Sequence, residues 1–135
     1  MANFIYPSIK SRMLTGQFSW TGDNVVAILI ATGLYEPSVN HATLLDVPAS
    51  ARVATSEILT GRTVAVNVVD ADDYLYTDVS GPTVTSVLLV SYGTSDATSY
   101  LICHIDDALT GLPFNPAASP VQLTWSNGDS KIFAL

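Results

Sequence analysis

Cysteine is almost absent from this chain: Cys103 stands alone, which excludes an internal disulfide and any Cys-x-x-Cys metal or redox motif. Positive charge is nearly as scarce. Lys10, Arg12, Arg52, Arg62 and Lys131 lie scattered against twelve acidic residues, for a net charge of −7. Nucleic-acid modules neutralise phosphates with a basic face, so this composition excludes a phosphate-tracking groove. Charge of either sign is thin, with 13% charged residues against the ~25% usual in globular domains. Long apolar runs are missing too. The longest, residues 25–31 (VVAILIA), falls far short of the ~18 residues that suggest a membrane span. Asn3, Pro7, Ser8 and Lys10 interrupt what would be the apolar core of a secretory signal. Synthesis and folding in the cytoplasm, with no membrane partner, are therefore expected.

What remains is apolar and small. Hydrophobic residues make up 48% of the 135 residues, and the mean hydropathy is +0.36. A chain of this length reads as one domain with a sizeable core. Much of its surface must then be Thr, Ser, Ala and Val, which cost little to desolvate against another protein.

The pattern of elements predicts an all-β fold, an antiparallel sandwich or flattened barrel of about eight strands with one or two short helices. Residues 1–16 read as an N-terminal arm with a short helix over 7–14, where Pro7 suits the first helical position, Ile9, Met13 and Leu14 line one side and Gly16 ends it. Residues 17–135 read as a single β-domain. Residues 17–20 and 25–31 are expected to form a hairpin, and a short helical turn over 41–46 to be capped by Asn40 and stopped by Pro48. Residues 52–59 are expected to turn into 63–69, and 74–79 into 84–92. Residues 101–105 form a continuous apolar run. Val121, Leu123 and Trp125 alternate with polar residues, and Asn127-Gly128 reads as a turn into a last strand over 131–135.

Candidate chemical sites are few. Asp70, Asp72 and Asp73, with Asp78 nearby, supply hard oxygen ligands, but the spacing lacks the glycine and twelfth-position acid of a calcium loop, so turn caps are expected and no metal. Asp106 and Asp107 read the same way. His41 and His104 belong to no zinc pattern, and Cys103 has no basic neighbour in sequence to activate it. No nucleophile elbow or phosphate-cradling loop is present, so neither catalytic residues nor a cofactor are expected. The aromatic residues suggest two alternatives. Trp20 and Trp125 stand beside turns and read as covers for the ends of a core. Tyr74 and Tyr76 share a face by the strand period and read as an exposed contact, either for protein or as a sugar platform.

A resemblance adds to this reading. The order LI-x-x-ID, a GLP loop, W-x-N-G and K-I-F-x-L over residues 101–135, preceded by MANFIYPSIKSRMLTGQFSW, HATLLDVP, LTGRTV and DADD, resembles a family of small structural proteins of tailed bacteriophages along nearly the whole chain. The resemblance implies a virion component made in the host cytoplasm, a capsid decoration (cement) protein on the capsid surface, with a neck or tail protein as the structural alternative and a carbohydrate-binding module as the alternative from another class. Its expected partners are the major capsid protein and further copies of itself, a trimer being one form. The contact regions expected from the residues are the arm, with Phe4, Tyr6, Lys10 and Arg12, the pair Tyr74 and Tyr76, and the 111–120 loop with Phe114.

Overall fold

The structure, a computed structural model, describes residues 4–31, 33–106, 119–125 and 132–134. It is an antiparallel, sandwich-like all-β fold built on a five-stranded sheet. The strands are β1 (Phe4–Ile5), β2 (Val25–Ala31), β3 (Arg52–Thr55), β4 (Thr63–Ala65), β5 (Val68–Asp70), β6 (Tyr74–Val79), β7 (Val84–Ser91), β8 (Tyr100–Ile105), β9 (Ser119–Leu123) and β10 (Phe133–Ala134), with one helix, α1 (Pro7–Leu14). The large sheet runs β1-β8-β7-β2-β3, a three-stranded sheet runs β10-β5-β4, and β6 pairs with β9.

The unbroken apolar run of β2 follows from its place. All seven of its residues are buried, because the sheet is covered on both faces, as a strand without polar alternation requires. Val25, Ala27 and Leu29 point into a core shared with Val69, Tyr76, Leu123 and Phe133 of the smaller sheets. Val26, Ile28 and Ile30 point the other way, into a second core closed by Tyr35, Leu44, Val47 and Ala51 of the 33–51 segment. Each such side chain contributes roughly 1.5–3 kcal/mol by leaving water. A bulge between Leu89 and Val90 of β7 pairs Leu89 with Cys103 and Val90 with Leu101, skipping Ile102. Ile102 and Cys103 therefore both face the first core, while Leu101 faces the second.

Several expectations are corrected by the pairing. Residues 17–20 form no strand, and β2 pairs instead with β7 and β3. Residues 52–59 and 63–69 do not form one hairpin: β3 stops at Thr55, and 63–70 makes a small hairpin of its own. β6 stays out of the main sheet and pairs with β9, not with β7. The expected Asn127-Gly128 turn lies outside the described residues, and the flanking strands part company, β9 to β6 and β10 to β5.

The N-terminal segment is not a free arm. Phe4 pairs with His104 and Ile5 with Cys103, adding β1 to the main sheet. Tyr6 and Ile9 are fully buried, so residues 4–14 belong to the domain. Helix α1 spans the predicted residues, but Leu14 faces solvent at 88% exposure. Residues 44–46 form a single 3-10 turn, capped by Thr43 and not Asn40. Backbone N–H groups of Ala42 and Thr43 donate to the Asp46 carboxylate at 2.9 and 3.3 Å, which holds its pKa below the usual value.

Candidate functional site

Three places in this frame gather residues with chemical or adhesive potential. The first lies where β1 meets β8. The Tyr6 and Tyr35 hydroxyls are 2.8 Å apart, and Tyr35 Oη is 2.9 Å from His41 Nδ1. Phe4 packs at ring distances of 4.8 Å on Tyr6 and 6.0 Å on His104. His104 is buried, and its Nδ1 has no hydrogen-bond partner. Burial disfavours the imidazolium and pushes the His104 pKa down to about 4, with Asp106 acting in the opposite sense. The ring is thus neutral near pH 7. Burial raises the pKa of the Tyr6 hydroxyl and of the Cys103 thiol, so neither ionises readily. His104 separates two hollows, one of about 460 Å³ edged by Phe4, Lys10 and Phe133, the other of about 390 Å³ edged by Gly33, Tyr35 and Ser86.

The second place is the Asp70–Asp73 turn. Trp20 Nε1 donates to the Asp70 carbonyl and Trp125 Nε1 to the Asp72 carbonyl, each at 3.0 Å. Asp73 Oδ1 accepts the Trp125 backbone N–H at 3.0 Å, and Asp72 Oδ2 accepts from the Thr60 hydroxyl at 3.2 Å. The backbone carbonyls of this turn hold both indoles over the core, while the Asp72 and Asp73 carboxylates tie the turn to Thr60 and to the Trp125 backbone. Among the described residues, no three His, Cys, Asp or Glu side chains come together to hold a metal ion.

The third is the β4–β5 hairpin. Thr63, Val64, Ala65, Val66 and Asn67 are all exposed. Val66, at its tip, is 98% exposed and stands at φ 62, an uncommon backbone conformation for a β-branched residue.

The expected contact residues scatter across these features. Tyr6 is buried because its ring closes the second core. Tyr76 is buried because its hydroxyl crosses to the Ala27 carbonyl at 2.7 Å. Neither reaches the surface of the isolated chain, which corrects their placement as contacts. Tyr74 does share a face with Tyr76, edge to face at 4.8 Å, and its hydroxyl accepts the Glu57 N–H at 3.2 Å. The pair is therefore no open sugar platform. The Arg12 guanidinium lies 3.7 Å over the Tyr100 ring, a cation–π contact. Phe4 is half-buried and Lys10 exposed. Phe114 lies outside the described residues.

Sequence reasoning missed Tyr35, whose isolated position gave no periodic signal, and the hairpin. The signal for the hairpin was present: Val66-Asn67 separates Val64-Ala65 from Val68-Val69 by two residues, the shortest hairpin spacing. Among the described residues no helix is long and apolar enough to cross a membrane. The chain matches no family model and no curated protein.

Proposed function

We propose that this protein is a structural component of a tailed-phage virion, a decoration protein that binds the major capsid protein lattice and other copies of itself. The observation that carries the reading is the character of its surface. Leu14, Val39, Leu45, Val64 and Val66 are each more than half exposed on a chain with 13% charged residues. They lie on α1, on the 33–51 segment and on the β4–β5 hairpin, outside the five-stranded sheet that has a core on each face. Such a surface suits repeated, weak, dry contacts, which symmetry multiplies through avidity. A ligand of the mature lattice alone stabilises that lattice by mass action. The order of motifs, which resembles that of small structural proteins of tailed phages, supports the same reading.

The test is quantitative mass spectrometry of purified particles. A copy number comparable with the major capsid protein is expected. A small fixed number typical of a symmetric ring would place the protein in a neck or tail, and absence from particles would overturn the proposal.

A further inference from the structure

We propose that the β4 edge is a self-association site, where two copies pair antiparallel about a two-fold axis through Val64. The inference rests on the structural reading above and names one contact of that assembly.

Open sheet edges invite pairing, and natural proteins guard them with charge, proline or brevity. The described edges here are guarded in those ways, with one exception. β3 opens with Arg52, β6 contains Asp78, β9 contains Pro120, and β1 and β10 are two residues long. β4, Thr63-Val64-Ala65, has three exposed residues and neither charge nor proline. In a chain of net charge −7, two copies approach most easily where charge is missing, and residues 63–69 carry none. A basic partner would find no carboxylate there.

The hairpin geometry aims the edge outward. Ala65 pairs with Val68 across the two-residue turn, and Val64 pairs with Val69. Residues flanking a two-residue turn exchange hydrogen bonds, so the next pair does not, and the N–H and C=O of Val64 point away from β5. In a two-fold pairing these two groups meet those of the second copy's Val64, and Thr63 of each copy faces Ala65 of the other. The result is one continuous sheet, β10-β5-β4 joined to its own image, with closed isologous symmetry.

The turn supports an external role for the tip. Val66 occupies the first central position at φ 62, where glycine is the usual residue and a β-branched side chain is strained. Among the described residues nothing covers it, and it is 98% exposed. With Val64 it borders an apolar hollow of about 280 Å³ that also touches Met13, Trp20 and Phe133, so pairing shields apolar surface as well as backbone.

The experiment uses the full chain. Sedimentation at increasing concentration is expected to show reversible pairing, weakened at least about tenfold by Val64→Lys. Val66→Gly relieves the turn while deleting the methyls, so it is expected to weaken pairing yet raise the unfolding midpoint. Under oxidation, Val64→Cys is expected to give a covalent dimer, because Cα atoms in such a pair lie about 5.5 Å apart, within disulfide reach. Val39→Cys, exposed on another face, serves as the control. Equal cross-linking of the two cysteine variants, or pairing unaffected by Val64→Lys, overturns this site while leaving the virion reading intact. A wild-type chain that stays monomeric overturns the site, and its presence or absence in particles judges the broader reading separately.

Discussion

The Tyr76 hydroxyl donates to the carbonyl of Ala27 at 2.7 Å, so a side chain of one sheet completes the backbone of the other. Ser56 serves the same residue: its N–H donates to the Ala27 carbonyl at 2.9 Å and its hydroxyl accepts the Ala27 N–H at 2.8 Å. The two bonds are unequal in consequence. Tyr76→Phe leaves the carbonyl one donor and is expected to cost about 1 kcal/mol, whereas Ser56→Ala orphans a buried N–H and is expected to cost about 2 kcal/mol. Urea denaturation of both variants measures the order, and a reversed order would refute this account of β2.

His104 makes stability depend on acid. The ring titrates near 6.5 in an unfolded chain and is pushed down to about 4 by burial. Between those values the unfolded state binds the extra proton, so stability is full above about pH 6.5 and falls as the pH drops through the folded value. The total loss from this group is on the order of 3 kcal/mol. His104→Leu should flatten the decline between pH 6.5 and 4 relative to wild type, read from unfolding midpoints across that range.

Gly61 and Gly33 offer a matched pair. Both have positive φ, 63 and 72, but a methyl at Gly61 would run into the Asp72 carboxylate, while Gly33 has open space around it. Gly33→Ala is expected to cost about 1 kcal/mol from backbone strain. Gly61→Ala should cost about 2–3 kcal/mol, since it also displaces the Asp72 contacts to Thr60. Equal losses would mean that Asp72 yields freely.

Truncation through Tyr6 is expected to destabilise the domain and not merely to remove a contact. The deletion strips β1 from β8, opens the second core where Tyr6 sat, and leaves Tyr35 without its hydroxyl partner. A loss of about 3 kcal/mol or more follows from the aromatic ring alone. Thermal unfolding of the truncated chain checks it, and an unchanged midpoint would return the segment to the status of a loose arm.

The sequence was read correctly wherever one local signal sufficed. Pro7 and Gly16 marked α1, and the run VVAILIA marked a strand covered on both faces. Partners were not legible. Tyr74 and Tyr76 alternate correctly on β6, but periodicity states which residues share a face and not whether that face looks to water. The strand pairs with β9 in a sheet of two, and Tyr76 on that face turns into the core. Val64 and Val66 were swallowed into one long strand because β-branched residues signal extension, which outweighed the two-residue hairpin spacing at Val66-Asn67. The contact role of Phe4 and Tyr6 was argued from an apparent lack of constraint, which the pairing of Phe4 with His104 supplies.

That pairing has a temporal consequence. Phe4 and His104 meet although they stand 100 positions apart in the chain, and β5 likewise waits for β10. During synthesis the apolar β2 is made before its neighbour β7, and β1 before the strand β8 that pairs with it. Contacts of such sequence span slow folding and prolong the exposure of unpaired strands. The scarcity of charge that equips the finished surface for adhesion therefore leaves the nascent chain vulnerable to sticking too soon, and chaperone capacity should set its yield.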